Sequence, residues 1–354
     1  MTCIQKNETR QVCLKLTFNI FTKHCFSEVV CGFCSPSTTF DSDDGLLTIM
    51  LPFTVVSKAR IDNHFRLMCA LQNVLLNSKF LYVSNTDGGA DDDTIEIYNI
   101  SNPEAPVRVG QFSSITSLGP AGLAIKDNIL YTANLGNGVE IFDVSNPIVP
   151  VRIGDFGDND LNIPDQLVIT GNILYVSSGG NNRVVIFNIA NPLTPIRVGE
   201  FDAGNLNAPS GMAISNTTLY VANIGDNTVE IYDIANPTAP VRVGEFNAGN
   251  LNTPAGLAAT GTTLYVTNFG DNTIEIYDIT NPNSPVRIGE VNGMNLNAPA
   301  VLTITGTTMY AANTGDNTVE IYDITNPAAP VHISEFGGED LEFPNGLAVL
   351  SLID

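Results

Sequence analysis

Carboxylates dominate the chemistry this chain can offer. The densest group is Asp87, Asp91, Asp92 and Asp93, in a stretch that also holds Gly88 and Gly89. Oxygen ligands on a segment that glycine lets curl suit Ca2+ better than a transition metal, and Asp87, Asp91 and Asp93 are the candidate ligands. The spacing lacks the alternating acidic positions and terminal Glu of an EF-hand loop, so a solvated acidic loop is the simpler reading. A second group recurs along the chain. Asp226, Asp271 and Asp316 each stand between a glycine and an asparagine, while Asn205 with Asn207 and Asn250 with Asn252 mark another family of polar segments. Asp165 and Gln166 occur together where related segments carry a small residue and Gly. All of these are candidate binding residues.

A catalytic set does not emerge from the same reading. The sequence has no nucleophile elbow, no phosphate-binding glycine loop opening a helix and no His-bearing zinc motif. His24, His64 and His332 are scattered, which supports neither a histidine metal cluster nor a haem site. Every cysteine lies at or before Cys69, so the body of the chain folds without disulfides or thiolate metal sites. Cys31 and Cys34 form one CxxC pair with no second pair to complete a zinc site.

The elements that position these residues follow from an internal repeat. Asn-Pro begins at Asn102, Asn146, Asn191, Asn236, Asn281 and Asn326, at intervals of 44 or 45 residues. Each copy reads as four short strands. In the fourth these are an apolar run at Met212 to Ile214, a second at Leu219 to Ala222, an alternating β-branched run at Thr228 to Ile234, and Val241 to Phe246. Gly225-Asp226-Asn227 has the chemistry of a hairpin turn, with Gly and Asn tolerating positive φ. Four antiparallel strands repeated at this spacing predict an all-β propeller with one repeat per blade.

Six complete repeats cover about residues 70–340, and Pro344 to Leu350 matches the inner strand of a further copy. The missing three strands are expected upstream. Lys58-Ala-Arg-Ile61 resembles Pro240-Val-Arg-Val243, so residues 37–69 and 341–354 would together make a composite seventh blade. Such closure removes the exposed edge of an open array. Six blades with a surplus strand is the alternative. Residues 1–36 match no part of the repeat and are set apart as a cysteine-containing leader before a propeller at 37–354.

Tyr265-Val-Thr-Asn268 spells the signature of YVTN-type propellers, and Val139 to Pro147 with Pro150 and Gly154 resembles the LVIVD repeat. The resemblance spans about 37–354 and implies a propeller, common in secreted or surface-associated prokaryotic proteins, with no single family activity. Some propeller enzymes, lactonases among them, use Asp, Glu and Asn around a channel-bound metal. Glu or Tyr stands on the third strand where the LVIVD pattern has Val.

Recurrent residues are first explained by what every blade needs. Arg108, Arg152, Arg197, Arg242 and Arg287 recur on the fourth strand, with His332 in the sixth copy. Glu96, Glu140, Glu230, Glu275 and Glu320 recur on the third, with Val185 in the third copy, which predicts a structural Glu–Arg pair within or between blades. Tyr232, Tyr277 and Tyr322 are expected to pack between blades. The formal net charge is −22, and the part after Cys69 carries all of the excess, which disfavours nucleic acid and favours cations or basic partners. No apolar run is long enough to span a bilayer as a helix, and the apolar stretch Leu46 to Val56 carries Pro52 and lacks the basic flank of a secretory signal. The expectation is a monomeric, non-catalytic module that binds a protein or glycan through an acidic, Asn/Asp-rich loop face, without a cofactor unless Ca2+ occupies the Asp87–Asp93 segment. A metal-dependent propeller hydrolase, such as a lactonase, is the alternative.

Overall fold

The computed structural model describes residues 78–86, 93–113, 119–136, 138–201, 204–247, 249–293 and 295–351, and the backbone of four earlier strands. Those four, Gln11–Asn19, His24–Cys31, Ser37–Asp41 and Leu46–Thr54, form a sheet of their own in a unit spanning Met1–Ser78 and Leu352–Asp354. The second unit, Lys79–Ser351, is the propeller.

Six blades of four antiparallel strands make up the described part of the ring. Blade I is Pro120–Lys126, Ile129–Asn134, Val139–Asp143 and Val151–Phe156. Blade II is Pro164–Thr170, Ile173–Ser178, Arg183–Asn188 and Ile196–Phe201. Blade III runs through Pro209–Ser215, Thr218–Asn223, Thr228–Asp233 and Val241–Phe246. Blade IV comprises Pro254–Thr260, Thr263–Asn268, Thr273–Asp278 and Val286–Val291, and blade V comprises Pro299–Thr305, Thr308–Asn313, Thr318–Asp323 and Val331–Gly337. Blade VI is assembled from both ends: Pro344–Ser351 is its inner strand, followed by Lys79–Asn85, Thr94–Asn99 and Val107–Ser113.

The seven-blade expectation is therefore corrected to six. The C-terminal strand does close the ring, but it pairs Leu347 with Val83 and Val349 with Leu81 instead of joining strands from 37–65. Leu46–Thr54 pairs instead with Gln11–Asn19 and Ser37–Asp41. The reason lies in how tightly inner strands meet. A Cβ on Gly346 would stand 1.9 Å from the Ala121 carbonyl oxygen, and one on Gly122 would stand 2.3 Å from that of Asp165. Pro344-Asn-Gly-Leu carries this glycine, whereas Leu71 to Leu76, ahead of Lys79, has neither the Pro nor the Gly. Leu71 to Leu76 lies outside the described residues.

Second and third strands are buried along nearly their whole length, while the fourth is half exposed, as expected for the outer edge of a blade. Aromatic rings join consecutive blades: Phe156 meets Phe187, Phe201 meets Tyr232, Phe246 meets Tyr277 and Phe336 meets Tyr98 at centroid distances of 4.8, 4.5, 4.7 and 4.4 Å. Tyr232 and Tyr277 thus pack between blades as expected. At the Asn-Pro end the hydroxyls of Tyr82, Tyr175, Tyr220 and Tyr265 donate to the carbonyls of Pro147, Pro237, Pro282 and Pro327 in the next blade. Burial pushes Tyr175, Tyr220 and Tyr265 up to about 12.

The predicted Glu–Arg pair is present in blades VI, I, III and IV, and lies within the blade in each. Nε of Arg108, Arg152, Arg242 and Arg287 stands 2.5 to 2.8 Å from the buried Glu96, Glu140, Glu230 and Glu275. In blade II, Val185 replaces the glutamate and Arg197 turns to Glu200 and Asp160. Among the described residues no helix is long and apolar enough to cross a membrane.

Candidate binding face

The turn between second and third strands and the loop from each fourth strand to the next inner strand meet at one end of the ring. Among the described residues a buried leucine anchors five of these longer loops: Leu161, Leu206, Leu251, Leu296 and Leu341. The polar residues around it then bond to each other. In blade III, Asn223 Oδ1 accepts from the Asn207 N–H at 2.6 Å, and its Nδ2 donates to the Asn205 carbonyl at 2.8 Å and to Asp226 at 3.1 Å. The Asn207 amide donates to the other oxygen of Asp226 at 3.1 Å. Blade IV repeats the set with Asn268, Asn250, Asn252 and Asp271, and blade V does so with Asn313, Asn295, Asn297 and Asp316. Asp226, Asp271 and Asp316 are exposed, and both oxygens of each accept an asparagine amide. Their charge is displayed, and the amides hold them in one orientation.

Adjacent blades are also locked at this end. Asn182, Asn227, Asn272 and Asn317 adopt left-handed φ of 55 to 60°. Their Oδ1 atoms accept the N–H of Ala208, Thr253, Ala298 and Phe343 in the next blade at 2.7 to 3.0 Å. The acceptors' partners, and Ile163 at the same position, are themselves left-handed, with φ of 48 to 56°. For Ile163, Thr253 and Phe343 this is a strained conformation, of order 1–3 kcal/mol each, held by the hydrogen bonds around it.

At the channel mouth the inner strands differ in the residue after proline. Blades I, IV and V place Ala121, Ala255 and Ala300 there, whereas blades II, III and VI place Asp165, Ser210 and Asn345. The hydroxyl of Ser210 donates to Asp165 Oδ2 across the blade boundary. Gln166 is buried, and its amide reaches past blade I to donate to the Asn345 carbonyl at 3.0 Å. Burial raises the pKa of Asp165 above the ordinary carboxylate value, while hydrogen bonds from Ser210 and Gln166 oppose the shift. Beside this cluster is an open hollow of about 370 Å³ lined by Thr86, Phe269, Ala300, Thr314, Phe343 and Asn345. Phe269 is 37% and Phe343 53% exposed.

Asp165 and Gln166 thus sit together at the mouth, with Asn205, Asn207, Asp226, Asn250, Asn252, Asp271 and Asp316 in the surrounding loops. Asp93 is buried at the start of the third element of blade VI. Asp87, Asp91 and Asp92, with the Ca2+ reading that rests on them, lie outside the described residues. Sequence reasoning missed Ser210, Asn345, Phe269 and Phe343. Comparing the residue after the inner-strand proline would have found the first two.

Three four-stranded repeats match the family model described as the LVIVD repeat, at residues 121–158, 210–248 and 256–293. The chain is thus a β-propeller, and it carries LVIVD repeats. A comparison with curated proteins gave no match. Among solved structures, the chain is similar to one from a nidogen/laminin complex, at 16% identity and a TM-score of 0.58, over 77% of this chain and 99% of that one. It is also similar to the periplasmic gluconolactonase PpgL of Pseudomonas aeruginosa, at 12% identity and a TM-score of 0.58, over 97% and 100%. A functionally unknown protein from Desulfotomaculum acetoxidans shows 14% identity and a TM-score of 0.57, over 98% and 100%. At these identities the likeness is one of fold.

Proposed function

We propose that the chain is a monomeric, non-catalytic binding module that recognises a protein or glycan partner through the loop face around the channel mouth. The observation that carries this reading is the apolar hollow beside Asn345, edged by the exposed rings of Phe269 and Phe343 and set among acidic loops. Aromatic residues in a desolvated centre with a charged surround are the arrangement of a binding hot spot. The acidic field favours a partner with basic groups around an apolar anchor. The exposed carboxylates of Asp226, Asp271 and Asp316, held in place by asparagine amides, supply that field.

The alternative is a metal-dependent hydrolase, and Asp165 in the channel mouth favours it. A channel metal there would draw on Asp165 and Asn345, with Ser210 and Gln166 as hydrogen-bonding neighbours. The binding reading is tested on peptide and glycan arrays probed with the wild-type chain and with Phe343→Gly. Glycine suits the left-handed φ of 48° at this position, so the variant removes the ring without straining the fold. Ligands retained by the wild type should bind at least tenfold more weakly to the variant. Equal binding to both would remove the hollow from the function.

A further inference from the structure

In blades I, III and IV one arginine neutralises two carboxylates. Its Nε meets the buried glutamate of the third strand, and its Nη2 meets Asp155, Glu245 or Glu290 three residues further along the fourth strand. Blade V keeps both carboxylates, as Glu320 and Glu335, but has His332 at the arginine position, opposite Tyr322 as Arg242 is opposite Tyr232. Imidazole offers one nitrogen on each side of a ring and cannot reproduce the two parallel donors of a guanidinium. His332 Nε2 lies 2.8 Å from Glu320 Oε2, so with a neutral ring the blade holds two carboxylates and no cation.

We propose that Glu320, His332 and Glu335 form a divalent transition-metal site of the Zn2+ type. One donor atom from each lies within 4.8 Å of the others. One imidazole nitrogen and two carboxylate oxygens make a three-ligand set that leaves a fourth position for water. Mixed nitrogen and oxygen donors select Zn2+ over Ca2+ or Mg2+. The buried ligand is already oriented from behind: Glu320 Oε1 accepts from the Thr318 hydroxyl at 2.7 Å and from the Asn313 amide at 3.4 Å, leaving Oε2 toward the imidazole. The ion has a path in, because His332 is 30% exposed and Glu335 is at the surface. A bound ion would supply the charge that arginine supplies in blades I, III and IV.

The test is titration of the full chain with Zn2+, its cysteines first alkylated so that thiolates do not compete. His332→Arg restores the residue of blades I, III and IV and should fold at least as stably as the wild type without metal. The wild type should bind one equivalent more than this variant and gain thermal stability that the variant does not. Glu335→Gln, at an exposed position, should weaken that equivalent at least tenfold. Equal stoichiometry in the wild type and His332→Arg, or no uptake by the wild type, would overturn the proposal.

Discussion

Asp165 sits between a serine hydroxyl and a primary amide in the mouth of the channel, in surroundings that disfavour its charge. A carboxyl whose folded pKa is raised costs stability once the pH exceeds its unfolded value near 3.9, and the cost grows until the folded pKa is passed. Asp165→Asn keeps an oxygen for Ser210 and removes the charge. The variant should therefore melt higher than the wild type at neutral pH, with the difference vanishing in melts below about pH 3.5. An equal gain at every pH would show that the carboxyl is not the cause. Glu275 is held by an arginine and a hydroxyl. Its removal in Glu275→Ala leaves Arg287 and the Thr273 hydroxyl without their shared acceptor, and chemical denaturation should show a loss of about 1–3 kcal/mol. The Glu–Arg pairing itself was legible, because both residues recur at fixed places in the repeat. That Gln166 crosses to Asn345 was not, because the two are 179 residues apart in sequence and meet only when the ring closes.

Turns were legible in kind but not in cause. Asn227, Asn272 and Asn317 do take positive φ, as turn chemistry suggests, but Gly225 is there for space: a Cβ would come within 2.4 Å of the Asn207 side chain. The asparagines carry a second duty that no local pattern reveals, the hydrogen bond to the next blade. Asn227→Ala should lose both the left-handed preference and the bond to Thr253, at a cost of about 1–2 kcal/mol each. Asn227→Gly keeps the conformation and loses only the bond, so it should fall between the wild type and Asn227→Ala in denaturant titrations. The Asn-Pro segments behaved as read: the Ala239 N–H closes a turn onto the Asn236 carbonyl at 3.0 Å.

Counting strands from sequence gave the right repeat and favoured seven blades over the six of its alternative, because an inner strand is defined by what it must fit against. Pro344-Asn-Gly-Leu fits against Ala121; Leu46 to Thr54, with Pro52 in its middle, has a different sheet. Gly346→Val should therefore open the ring at blade VI and lower the melting temperature sharply, while the same exchange at Gly204, with open space around it, should cost only its backbone strain. A closed ring holds Asp165, Ser210, Asn345 and the two exposed phenylalanines in fixed relation, which suits recognition and would equally suit catalysis. Steady-state hydrolysis of gluconolactone and related lactones, with divalent metals added, separates the two. The wild type and Asp165→Asn should give the same rate as buffer and metal alone. Turnover by the wild type that is lost in Asp165→Asn would make the channel mouth a catalytic centre and contradict a purely binding face.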